Sequence, residues 1–163
     1  MQIAVRSSTH SRHGDSWKDE IHLSSLSILM DMQFHAAPAR LLHAWTIPEY
    51  VETWLMPPGI EEIRCSREPQ PQNGFSIDLR SHAGATTSIY GEYLTIDPGR
   101  IVMSWQLSSG WLSGETSLRI AFRSSGRTTG IRLSHTGFRN TEDWQWAQQL
   151  WLISLTKMNR LIR

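Results

Sequence analysis

Cysteine is nearly absent, and so is net charge. A single cysteine, Cys65, among 163 residues excludes an internal disulfide and is compatible with a reducing compartment. Sixteen basic residues against fifteen acidic ones leave a net charge of +1, which makes no electrostatic case for nucleic acid or an anionic membrane as the main partner. No apolar run approaches the roughly twenty residues that span a bilayer, so no membrane insertion is expected. The first twenty residues, Met1 to Glu20, are polar and carry no apolar signal core. A cytoplasmic protein is the expectation.

Catalytic signatures are scarce too. No glycine-rich phosphate loop occurs. Gly110-Trp111-Leu112-Ser113-Gly114 lacks the nucleophile-elbow spacing, which needs one residue on either side of the serine. Glu61 and Glu62 are adjacent on a strand, so they point to opposite faces and cannot act as a pair. Cys65 lies mid-strand and has no base beside it in sequence. His10 and His13 lack a third ligand nearby. Glu92, between Tyr90 and Tyr93, is the one carboxylate considered for an inward acid or base. No catalytic residue, metal or organic cofactor is assigned.

What the chain has is tryptophan, eight in all, and a long amphipathic C-terminal stretch. From Trp144 to Ile162, Trp144, Ala147, Leu150, Trp151, Leu155, Met158, Leu161 and Ile162 recur in steps of three and four, one apolar stripe on a helix. Glu142 and Asp143 at its start, and Lys157 and Arg160 at its end, suit the helix dipole. Asn140 or Thr141 can cap it.

The rest reads mainly as strands. Residues 1–22 have little periodicity and are read as a polar arm, leaving 23–163 as one domain. His22 to Phe34 alternates as a first strand. Pro38 and Pro48 each open a short helix, and Pro57-Pro58-Gly59 ends the second. Six strands follow: Glu61–Arg67, one around Phe75, Ile77 and Leu79, Thr87–Ile96, one around Ile101, Met103 and Trp105, one around Leu118, Ile120 and Phe122, and one with Ile131, Leu133 and His135 on one face. A loop at Ser108–Gly114 and a polar turn at Ser124–Gly130 separate the later ones. Short connections favour an antiparallel meander. The class is α+β: one curved sheet of about seven strands wrapped on a long terminal helix, with two short helices closing an end.

Three stretches carry a family resemblance. Ala37-Pro38-Ala39-Arg40-Leu41-Leu42-His43-Ala44-Trp45-Thr46-Ile47-Pro48-Glu49, with Thr53-Trp54-Leu55-Met56-Pro57, resembles the opening helix pair of the activator of heat-shock-protein-90 ATPase homologue-like family. Tyr90 to Trp105 resembles its glycine, acidic-proline turn and tryptophan-ended strand, and Thr129 to Phe138 is the third match. Together they cover about residue 24 to the end, in order. The resemblance implies the START-like, or helix-grip, fold, whose members hold apolar ligands between sheet and terminal helix.

On that implication, an apolar or aromatic small molecule is expected against Phe75, Ile77, Met103, Trp105 and His135 of the sheet and Leu150 and Trp151 of the helix, with Trp54 at the mouth. Tyr90, His135 and Arg64 are the polar residues available to orient it. Trp45, Phe138 and Trp144 complete an aromatic set that fills a core or walls a cavity. Two alternatives stay open. The family name implies stimulation of a heat-shock-protein ATPase, and an inward acid or base would allow cyclase or hydratase chemistry on an aromatic or polyketide-like substrate. Homodimerisation through sheet edges or Trp111 also stays open.

Overall fold

The computed structural model describes residues 26–66, 74–108 and 114–162. The expected arm at 1–22, the first-strand residues His22 to Ser25, Arg67 and the tip of the Ser108–Gly114 loop with Trp111 lie outside them.

Seven strands form one antiparallel sheet in the order β1-β7-β6-β5-β4-β3-β2. They are β1 (Leu26–Phe34), β2 (Ile60–Cys65), β3 (Gly74–Ser81), β4 (Thr86–Asp97), β5 (Arg100–Leu107), β6 (Thr116–Ser125) and β7 (Thr128–Phe138). Helices α1 (Pro38–Thr46) and α2 (Pro48–Trp54) connect the two edge strands β1 and β2, and α3 (Thr141–Leu161) ends the chain. This is the α+β order of elements that the sequence pattern implies, in the helix-grip arrangement that the family resemblance implies.

Alternation decides which side chains enter the grip. Ile28, Met30, Met32 and Phe34 of β1, Leu118, Ile120 and Phe122 of β6, and Ile131 and Leu133 of β7 are buried on one face. Against them α3 buries Ala147, Leu150, Trp151, Leu155 and Met158, the expected stripe. The helix begins earlier than the apolar pattern, because Asn140 caps it: its side chain accepts the Asp143 N–H at 2.8 Å and donates back to the Asp143 carboxylate at 2.8 Å. Leu161, expected on the stripe, is half exposed, since the helix ends there and Ile162 turns inward instead.

Two local irregularities shape the sheet. The expected polar turn at Ser124–Gly130 is a hairpin tightened to Gly126-Arg127, and Thr129 is buried with its hydroxyl donating to the Ala36 carbonyl at 2.7 Å. At Gly91 the neighbouring strand passes so close that a Cβ would collide with the Ser104 carbonyl, and the Phe75 ring covers the vacant position. Beside it the Glu92 N–H donates to the Ser104 hydroxyl at 3.0 Å. A glycine is required there by close approach.

The helix pair is hinged at Ile47, which caps the end of α1 and the start of α2 in an extended conformation. The two helices are tied by the Trp54 indole N–H, which donates to the Ala44 carbonyl at 2.7 Å. The strap after α2 is pinned to α3, where the Met56 N–H donates to the buried Ser154 hydroxyl at 2.8 Å. Among the described residues no helix is long and apolar enough to cross a membrane.

Candidate functional site

A partly open cavity lies between the sheet, the helix pair and α3. Trp45, Thr46, Pro48, Val51, Trp54 and Leu55 come from the helix pair, Cys65 from β2, Phe75, Ser76 and Ile77 from β3, Tyr93 from β4, Met103 and Trp105 from β5, and Trp151 from α3. The wall is aromatic. Trp45 lies 4.6 Å from Trp54 and 5.8 Å from Trp151, and Trp105 lies 5.3 Å from Trp151, all between ring centroids. Phe75 sits 5.0 Å from Tyr93 and 5.9 Å from Trp105. The rings leave about 30 Å³ of free room, which takes one or two water molecules.

Six of the expected ligand-facing residues meet here: Trp54, Phe75, Ile77, Met103, Trp105 and Trp151. Three do not. Tyr90 is 42% exposed on the outer face of β4, because Ile89, Gly91 and Tyr93 take the inward positions, and Tyr93 fills the place expected for it. Glu92 faces outward by the same alternation and is exposed. Leu150 is fully buried but packs in the core away from the cavity wall. Arg64 is exposed and pairs with Glu62 at 2.9 Å. Sequence reasoning left Trp45 and Tyr93 out of the ligand set. The 3.6-residue period of α1 marks Trp45 as inward, and period two from Ile89 marks Tyr93.

His135 is the third correction. It is buried, and both ring nitrogens are engaged by protein. The Trp151 indole N–H donates to Nδ1 at 3.0 Å, and Nε2 lies 2.7 Å from the Thr116 hydroxyl. An indole nitrogen only donates, so Nδ1 carries no proton and the neutral ring holds its proton on Nε2. The chain continues with the Thr116 hydroxyl donating to the Trp105 carbonyl at 2.8 Å. Burial pushes the imidazole pKa down to about 3. His135 is a neutral relay behind the cavity wall, joining α3 to β6 and β5. It reaches Thr116 because β7 pairs it with Leu118, one inward step along β6. Gly137, at a left-handed φ of 95°, then bulges β7 so that Phe138 also turns inward, 4.5 Å from the imidazole.

Two other titratable groups line the cavity. Burial, and then the carboxylates of Glu52, Glu49 and Asp78, push the Cys65 thiol up to about 12. Burial, with a contribution from Cys65, pushes the Tyr93 hydroxyl above its ordinary range. Both stay protonated at neutral pH and present no base. Among the described residues no group of three or more His, Cys, Asp or Glu is placed to hold a metal ion.

One polar feature is unresolved by the protein itself. The indole nitrogens of Trp45 and Trp105 are sealed from solvent and have no hydrogen-bond partner among the described residues. A buried donor left unpaired costs about 1–3 kcal/mol. The other core indoles are spent on protein acceptors: Trp54 on Ala44, Trp151 on His135, and Trp144 on the Ser27 carbonyl at 3.0 Å.

A wider groove of about 560 Å³ lies between α1, α2 and the end of α3, lined by Arg40, His43, Tyr50, Thr53 and Leu161 among others. Trp54 borders both spaces. We place the candidate site in the smaller cavity, because its wall holds the tilted cluster of aromatic rings and the two residues with unpaired buried donors.

Comparison with known proteins agrees with this architecture. The family model described as activator of Hsp90 ATPase homolog 1-like protein matches residues 35–163. Protein CV1439 from Chromobacterium violaceum superposes with a TM-score of 0.75 at 18% identity, over 84% of this chain and 96% of that one. The AHSA1 protein from Silicibacter pomeroyi superposes with a TM-score of 0.71 at 14% identity, over 83% and 96%. An Hsp90 activator from Plasmodium falciparum superposes with a TM-score of 0.66 at 16% identity, over 83% and 95%. No protein with a curated description matches. At these identities the structural likeness establishes the fold.

Proposed function

The chain belongs to the activator of Hsp90 ATPase homolog 1-like family, and from that premise we propose that it binds an apolar or aromatic small molecule between its sheet and α3. The observation that carries the reading is the aromatic wall of the cavity, to which Trp45, Trp54, Trp105 and Trp151 all contribute. Flat, polarisable faces suit a flat apolar ligand, and such contacts gain about 0.5–1.5 kcal/mol beyond area burial.

The free room of about 30 Å³ is far below a ligand's volume, so binding requires the helix pair to move. We take Trp54 as the gate, because it lines both the cavity and the outer groove and its indole is held by one hydrogen bond to Ala44. Swinging that ring outward joins the two spaces.

Native mass spectrometry of protein purified without apolar additives tests the reading. A small-molecule mass that departs on denaturation is the expected result. A native mass equal to the bare chain, with no change in tryptophan fluorescence on adding flat aromatic compounds, would sink it.

A second reading, stimulation of a heat-shock-protein ATPase, is favoured by the likeness to the Plasmodium falciparum activator over 83% of this chain. ATP turnover by a purified Hsp90, with and without this protein, decides it.

A further inference from the structure

We propose that the cavity selects a neutral ligand carrying hydrogen-bond acceptors, such as a ketone, quinone, ester or ether oxygen on an aromatic or apolar frame, and that Trp45 and Trp105 donate to it. The inference rests on the ligand-binding reading above and goes further by naming the ligand's chemistry.

The argument begins with the two orphan donors. Trp45 and Trp105 are each 3% exposed, and neither indole nitrogen has a partner among the described residues. The other three core indoles show that this fold satisfies its tryptophans where protein acceptors are within reach. The two exceptions both line the aromatic cavity. Both rings lie against Trp151, with centroids at 5.8 Å and 5.3 Å, so the two unpaired donors belong to one aromatic cluster at the cavity.

Charge then selects among acceptors. No Lys, Arg or His is among the residues lining the cavity. Glu52 stands at its β2 side, accepting the Cys65 N–H at 2.7 Å, and the carboxylates of Glu49, Glu52 and Asp78 together oppose ionisation of the Cys65 thiol. The same field opposes an anionic ligand. A carboxylate or phosphate would meet only neutral donors in an unfavourable potential, whereas a neutral carbonyl can take the same donors without carrying charge into that field.

The test uses three compounds of one shape: 9-fluorenone, which has a carbonyl acceptor, fluorene, which has none, and fluorene-9-carboxylate, which is an anion. Affinities come from calorimetry on the full chain. Fluorenone should bind about tenfold tighter than either of the others. The preference over fluorene should shrink in Trp45→Phe and in Trp105→Phe, with fluorene affinity itself little changed. Because either variant can unfold, the wild-type protein labelled with 15N at its indoles supplies a second readout: the Trp45 and Trp105 N–H proton signals should move downfield with fluorenone and not with fluorene. Equal binding of fluorenone and fluorene, with both indole signals unmoved, overturns this inference and leaves the cavity reading standing, with water as the partner of both donors. Binding of none of the three overturns the cavity reading as well.

Discussion

At the scale of single residues, His135 shows how burial removes a titratable group from chemistry. Its Nδ1 accepts the Trp151 N–H, so a proton added there would set two N–H groups against each other. With the folded pKa near 3 and an unfolded value near 6.5, the unfolded chain takes up a proton between those pH values and the folded chain does not. Unfolding is therefore favoured as pH falls below about 6.5, by up to about 1.4 kcal/mol per pH unit from this group. Urea denaturation at pH 7.5, 6.0 and 5.0 should show that loss. His135→Gln keeps an acceptor for Trp151 and a donor for Thr116 but cannot titrate, so its stability should be flatter over the same range. Parallel profiles for the two proteins would contradict the relay.

Among the elements, the helix pair is joined to the rest of the fold by its buried apolar face and by hydrogen bonds at its C-terminal end, Glu52 accepting the Cys65 N–H and Ser154 accepting the Met56 N–H. The Trp54–Ala44 bond holds α1 and α2 to each other, and the Met56–Ser154 bond holds the following strap to α3. Ser154→Ala leaves the Met56 N–H without its acceptor and should cost about 1–2 kcal/mol. The effect should be local. Amide exchange should speed up in α2 and the strap, around residues 48–57, while the central strands β6 and β7 keep their protection. Uniformly faster exchange throughout the sheet would show that the strap is part of the global core and not a separately opening unit. α3 itself is better anchored, with the reciprocal Asn140–Asp143 cap at one end and the Trp144 indole bound to β1.

For the whole molecule, ligand binding must offset the work of opening the grip. A ligand that binds only the folded state at a hundred times its Kd stabilises by about 2.7 kcal/mol. For a chain of this size that corresponds to a rise in Tm of roughly 5–10 °C. A thermal melt with fluorenone at saturating concentration should show it, and a Tm that does not depend on ligand concentration would contradict binding to the native fold.

The sequence by itself determined the order of elements, the inward face of nearly every strand, the stripe on α3 and the family resemblance, because these rest on periods of two and 3.6 and on prolines whose effects are local. The lining of the candidate cavity was legible in part: Trp54, Phe75, Ile77, Met103, Trp105 and Trp151 share inward positions that alternation and helical spacing reveal. Tyr90 does not belong to it, because period two from the buried Ile89 puts Gly91 and Tyr93 on the inward face and Tyr90 on the outer one. What only the tertiary structure decided is which inward residues meet a void and which meet each other. His135 and Trp105 look alike in sequence, each apolar-flanked on an inward face. Strand register puts Thr116 and Trp151 within reach of the His135 nitrogens, so both are spent on protein. It puts no acceptor within reach of the Trp105 indole among the described residues. A hydrogen bond needs its partner within about 3 Å, and between residues far apart in the chain that distance exists only once the sheet has closed on the helix.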